Sequence, residues 1–135
     1  MQIQANLAKA ADAVMLDMDG FVAETNATNI FLVTNGELIT PLATACLPGI
    51  TRSTILELAQ TLGIRASERQ VSLTELYCAD EVFTTGTMGE LTPVRSCDGR
   101  LIGSHLEQNG EKTNKLKRPI TELLQKKYAE MALKI

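Results

Sequence analysis

Apolar and polar positions alternate in short blocks along the first part of the chain, with turn residues between the blocks. Ala13-Val14-Met15-Leu16-Asp17 is an apolar run that reads as a strand. Asp19-Gly20 turns the chain into a second strand over Phe21–Thr25. Asn35-Gly36 makes the next hairpin, between Asn29–Val33 and Glu37–Thr40. Four such strands are expected to form an antiparallel meander. At Thr51 the period changes. Ile55, Leu58, Ala59 and Leu62 recur at i, i+3, i+4 and i+7, with Leu56 beside them, and predict a helix over Thr51–Leu62 that Gly63 closes.

Beyond that helix, Ile64–Val71 alternates again and predicts an outer strand. Ser72 and Glu75 have capping-box spacing, which opens a brief helix through Cys78. Glu81–Thr85 predicts a strand, and Leu91–Cys97 with Arg100–Ile102 a hairpin around Asp98-Gly99. Pro119 starts a last helix reaching about Leu133, with Ile120, Leu123, Leu124, Tyr128 and Met131 as its apolar face. Between them, residues 103–118 are polar and expected to form a mobile loop. Met1–Ala10 reads as helix without an N-cap, either the tail of a longer helix or a frayed terminus. The pattern implies one domain over residues 1–135, of α/β class: a twisted, mostly antiparallel sheet or pseudo-barrel with packed helices.

Composition narrows the function classes. A net charge of −3 without a basic face argues against nucleic acid as partner. The uncharged run after Glu24 is broken by Asn26, Asn29 and Asn35, so no membrane span is expected. Lys9 is followed by alanines and then Asp12, which is no secretory pattern. Cys46, Cys78 and Cys97 are odd in number and widely spaced, fitting neither a disulfide framework nor a zinc site. A cytoplasmic location is the expectation.

Three stretches can carry chemistry. Glu24 ends a strand among Thr25, Asn26, Thr28 and Asn29, where a carboxylate stays ionised and can pair with a cation or a protonated ring nitrogen. Leu47-Pro48-Gly49-Ile50-Thr51 opens the amphipathic helix, whose unpaired first-turn N–H groups and positive dipole end suit a phosphate ester. Arg52 beside it can serve an anion or lie on the surface. Thr84-Thr85-Gly86-Thr87 offers hydroxyls and N–H groups at a strand end. His105, in the polar loop, is expected to be exposed.

Taken together and in this order, the stretches resemble fold-type IV pyridoxal-phosphate enzymes, the class of branched-chain and D-amino acid aminotransferases and aminodeoxychorismate lyases. The resemblance runs from about Met1 to Ile102 and rests on G-F-V-A-E-T-N-A-T-N-I-F (Gly20–Phe31), C-L-P-G-I-T-R (Cys46–Arg52) and A-D-E-V-F-T-T-G-T-M-G-E-L-T-P-V (Ala79–Val94). It implies the fold of that family's large, cofactor-binding domain, with pyridoxal 5′-phosphate as cofactor. Glu24 matches the acidic partner of the pyridine nitrogen, which keeps the ring an electron sink. Leu47 matches the residue packed on the ring, Gly49, Ile50 and Thr51 the phosphate cup, and Thr87 a second phosphate contact. Gly86, Thr87 and Met88 match the turn near the substrate carboxylate, and Asn29 a structural asparagine.

The resemblance also marks what is not matched. The family's Schiff-base lysine lies farther before the Glu24 position than Met1, and Lys9, only 15 residues upstream, is not its counterpart. No catalytic residue is therefore assigned, and a chain truncated before that lysine is expected to be inactive alone. The family's phosphate-binding arginine and small closing domain are likewise upstream. Ser104–Arg118 is longer and more charged than the family's link into the last helix. The expected role is the cofactor-binding domain of an amino acid aminotransferase, branched-chain-like, whose parent takes amino acids and 2-oxo acids and forms homo-oligomers. The alternative is a non-catalytic module using the same scaffold for a phosphorylated ligand or a protein partner.

Overall fold

The computed structural model describes residues 14–16, 20–25, 29–42, 50–85, 91–103 and 118–132. They form strands β1 (Val14–Leu16), β2 (Val22–Thr25), β3 (Asn29–Thr34) and β4 (Glu37–Thr40), helix α1 (Ile50–Thr61), β5 (Ala66–Glu68) and helix α2 (Leu73–Tyr77). Then follow β6 (Glu81–Thr85), β7 (Leu91–Pro93), β8 (Ser96–Cys97), β9 (Arg100–Leu101) and helix α3 (Pro119–Ala132). Met1–Ala10, His105 and all of the 103–118 loop but its two ends lie outside the described residues.

β3 takes the centre of a five-stranded sheet ordered β5-β4-β3-β6-β7. It runs antiparallel to β4, with Leu32 opposite Ile39, and antiparallel to β6, with Phe31 opposite Phe83. β6 and β7 are antiparallel, and β4 and β5 are the one parallel pair described in this sheet. β1 with β2, and β8 with β9, form two separate hairpins. The expected four-strand meander is therefore two hairpins, because β3 gives its second edge to β6 instead of β2. Ile30, Phe31, Leu32 and Val33 are all buried, so β3 needs both faces covered and both edges paired. Val82 and Phe83 offer apolar partners on both faces.

Turn chemistry fixes the hairpins. Asn35 and Gly36 both take left-handed backbone (φ 52° and 78°), as do Asp98 and Gly99 (φ 51° and 77°). Two successive positive φ values make the tight turn whose twist matches that of the flanking strands. The Asn35 N–H also donates to Asp80 Oδ2 at 2.8 Å, tying the hairpin to the start of β6. Gly103 closes the far side: its φ is +82°, and a Cβ there would stand 2.7 Å from the Asp80 carbonyl oxygen.

The sheet separates two cores. Phe31, Val33, Leu38, Phe83 and Leu91 pack under α1 and α3, through Ile55, Ala59 and Leu124. Ile30, Leu32, Ile39 and Val82 pack on the other face with Val22, Val71, Leu76 and Ile102. α1 ends at Gly63 as expected, with Gly63 N–H donating to Gln60 and Ile64 N–H to Ala59. α2 has the full capping box: Ser72 Oγ accepts from the Glu75 N–H while Glu75 accepts from the Ser72 N–H. Leu91–Cys97 is two strands, not one. β7 ends at Pro93, with one further bond from the Val94 N–H to the Val82 carbonyl at 2.8 Å, and β8 turns away to pair with β9. On α3, Leu123 and Met131 are exposed although expected on the apolar face. Leu123 is about 100° around the helix from the buried Leu124, and Met131 sits in the last turn.

α2 carries one titration signature. The Tyr77 hydroxyl donates to Asp98 Oδ2, and the Arg100 guanidinium lies 4.6 Å over the Tyr77 ring. The hydrogen bond to Asp98 first, and burial second, push the Tyr77 pKa up to about 12. A folded-state pKa above the unfolded value of about 10 gives stability that is complete below pH 10 and lost as pH rises through 12. Ultraviolet titration is expected to show one tyrosine ionising late, and Asp98→Ala to move it back toward 10. An unchanged curve in that variant would remove Asp98 as the cause.

Candidate functional site

The three motif stretches converge on one end of the five-stranded sheet, and the strand register shows why. Asn29 starts β3 directly opposite Thr85, the last residue of β6, and Thr85 is opposite Leu91, the first of β7. Because β3 and β4 form a hairpin turning at Asn35-Gly36, the start of β3 lies beside the end of β4. Thr40 Oγ1 fixes that edge by donating to the Ile30 carbonyl at 2.8 Å. The chain therefore leaves β2 for β3, β4 for α1, and β6 for β7 at the same end.

α1 begins there too. Arg52, in its first turn, donates from Nη2 to the Pro41 carbonyl at 3.0 Å, just past β4. Its guanidinium also pairs with Glu68 of β5 at 3.5 Å. This corrects one expectation. Arg52 is only 3% exposed, so it neither lies on the surface nor offers its charge to a ligand in solvent. Its guanidinium anchors the helix start to the β4–β5 edge.

Ile50 is 89% exposed and Thr51 half-buried, and no acidic residue stands in the first turn to occupy its amides. Thr54 Oγ1 donates back to the Ile50 carbonyl at 2.9 Å, an ordinary interior bond. The positive end of the α1 dipole thus stands at the convergence point, an arrangement that attracts an anion.

Of the sequence-derived residues, Glu24 is placed in β2 opposite Met15, and Ile50 and Thr51 are placed at the start of α1. Leu47, Gly49, Gly86, Thr87 and Met88 lie outside the described residues. Their segments are bracketed by Leu42 and Ile50, and by Thr85 and Leu91, at the same sheet end. Thr84 and Thr85 face opposite sides of β6: Thr84 is half-buried on the Val82 side, Thr85 buried on the Phe83 side. Asn29 is buried opposite Thr85.

One polar residue was missed. Glu81 is 3% exposed and accepts from the Thr121 N–H (2.8 Å) and the Ile120 N–H (3.4 Å), capping α3 across the sheet. Strand alternation was the available signal, since it sets Glu81 on the Phe83 face.

The family model for Amino-transferase class IV matches residues 1–97. The chain is 57% identical over 102 residues to branched-chain-amino-acid aminotransferase-like protein 1 of Arabidopsis thaliana, covering 76% of this chain and 18% of that protein. In three dimensions it is similar to the branched-chain amino acid aminotransferase of Escherichia coli, with a TM-score of 0.84 and 37% identity over 96% of this chain and 40% of that one. A second solved branched-chain amino acid aminotransferase, holding pyridoxamine 5′-phosphate, gives a TM-score of 0.82 and 34% identity, covering 95% of this chain and 39% of that one. That of the archaeon Thermoproteus uzoniensis, with norvaline, gives 0.83 and 34%, covering 98% of this chain and 40% of that one. The chain thus spans between 18% and 40% of the length of these relatives.

Proposed function

This chain belongs to the class IV aminotransferase family, and we propose that it holds pyridoxal 5′-phosphate for an aminotransferase acting on branched-chain amino acids and their 2-oxo acids. The observation that carries the reading is the convergence of the ends of the β2–β3, β4–α1 and β6–β7 connections on the sheet end where α1 begins. The donor set fits a phosphate monoester: neutral amides at a helix start, the Thr51 hydroxyl, no acid in the turn, and a buried threonine hydroxyl without a partner among the described residues at the same sheet end. When bound, the cofactor supplies the electron sink that lets an amino acid's α-proton leave. The first-turn amides and Thr51 hold its phosphate, and Thr87 adds a second contact. The Glu24 carboxylate holds a proton on the ring nitrogen. Leu47 packs on the ring, and Gly86, Thr87 and Met88 receive the substrate carboxylate.

The roles given to these residues are the holding and orientation of the cofactor. Calorimetric titration is expected to give at least about tenfold tighter binding of pyridoxal phosphate than of pyridoxal, the worth of a charge-assisted phosphate contact. Borohydride treatment followed by mass analysis is expected to mark no lysine preferentially. Equal affinity for the two ligands removes the phosphate cup from the reading. Stoichiometric marking of one lysine, Lys9 for instance, removes the assignment of its role. Homo-oligomeric assembly belongs to the same proposal, and light scattering over a concentration series reads it directly.

A further inference from the structure

Thr85 is 3% exposed, and its Oγ1 has no hydrogen-bond partner among the described residues. A buried hydroxyl left unpaired costs stability, and a ligand oxygen would recover that loss. Strand alternation sets the side on which it lies. Glu81, Phe83 and Thr85 share one face of β6, and Phe83 packs with Ile55 and Ala59 of α1. The hydroxyl therefore lies on the face that carries α1 and α3, at the sheet end where α1 begins, opposite Asn29, with β3 between β6 and the β4 end that leads to Pro41.

Two other buried polar atoms lack partners among the described residues, Thr121 Oγ1 and Arg52 Nε. Thr121 sits beside Glu81 at the opposite end of β6, away from the convergence point. Arg52 is already held between Pro41 and Glu68. Among the described residues, Thr85 alone combines an unpaired donor, burial and a position at the sheet end where α1 begins.

The geometry points to Thr85 Oγ1 as a hydrogen-bond donor to the cofactor phosphate held at the first turn of α1. This rests on the proposed function above and adds to it a residue of the Thr84–Thr87 stretch to which the family resemblance gives no role. The hydroxyl contributes a proton donor, while the phosphate contributes the accepting oxygen and the charge, so no bond is made or broken. Thr85→Val keeps the β-branched shape and removes the donor. Thr85→Ser keeps the donor.

The test is titration calorimetry of the full chain with pyridoxal phosphate and with pyridoxal, alongside melting of the ligand-free chain. Thr85→Val is expected to weaken pyridoxal phosphate binding about tenfold to a hundredfold, the range for a hydrogen bond to a charged group. Pyridoxal binding should stay unchanged, and Thr85→Ser should remain within about twofold of the parent for both ligands. The ligand-free Thr85→Val chain should melt no lower than the parent, because it loses only an unsatisfied polar atom. Unchanged phosphate-ligand affinity in Thr85→Val, or equal weakening for both ligands, or a lower melting temperature, overturns the assignment while leaving the proposed function standing. A parent chain that binds no pyridoxal phosphate overturns both. Should Thr85→Val not fold, Thr85→Ala takes its place. If neither folds, Thr85 is a core residue and the assignment fails.

Discussion

Phe83→Ala is expected to remove about 3–5 kcal/mol of folding stability, the usual cost of emptying a fully buried aromatic site. Phe83 has no exposed surface, and its ring stacks on Phe31 with centroids 5.1 Å apart and planes 5° from parallel. The pair forms the floor on which Ile55 and Ala59 of α1 and Leu124 of α3 rest. Truncation leaves a cavity between two strands already held in register by the β3–β6 ladder, so the site cannot collapse to fill it. Set against a total of about 5–15 kcal/mol for an ordinary domain, the loss brings the chain close to unfolding. Phe83→Leu, which keeps most of the volume, should cost less than about 2 kcal/mol. Urea unfolding with slopes compared between variants measures both. A Phe83→Ala loss below about 1 kcal/mol, typical of surface positions, would mean the stacked pair is not the centre of this core.

That core also marks where sequence legibility ends. Local chemistry was readable: Asn35-Gly36 and Asp98-Gly99 dictate their turns through positive φ, Ser72 and Glu75 dictate the cap of α2, and Gly63 dictates the end of α1. The order of motifs, Glu24, then Gly49–Thr51, then Thr87, was readable as well, and with it the family. Partner choice across the sheet was not. Nothing near Asn29–Thr34 announces that its second edge belongs to Glu81–Thr85, because that pairing is decided by apolar matches between distant segments. The convergence of the three connections depends on this pairing and so stayed hidden. Long polar side chains were the other blind spot. Arg52 reads as a surface residue by type, yet the Pro41 carbonyl and Glu68 make its burial tolerable. Glu81 reads as a strand-end charge, yet it finds two amides on α3.

Glu81 sets the second large effect. Pro119, the first residue of α3, has no N–H, and the Glu122 N–H reaches the Arg118 carbonyl. The Ile120 and Thr121 N–H groups remain, and the Glu81 carboxylate takes both. Its charge also stands at the positive end of the helix dipole. Glu81→Leu is expected to cost about 2–4 kcal/mol, since it strands donors in a buried place and removes that charge. Glu81→Gln keeps an acceptor oxygen and should cost about 1 kcal/mol. The consequence extends to the candidate site. α3 crosses the sheet from Glu81 toward Leu91, where Gln125 Nε2 donates to the Leu91 carbonyl at 2.8 Å, opposite Thr85. Loosening the helix start frees a layer that covers the Thr85 face. Amide hydrogen exchange should show faster opening across α3 in Glu81→Leu, with pyridoxal phosphate binding weakened in that variant and near the parent value in Glu81→Gln. Equal loss of stability in the two variants would assign the effect to the lost charge alone. Unchanged α3 exchange in Glu81→Leu would show that the helix is held by Leu124 and Ile120 packing without the cap.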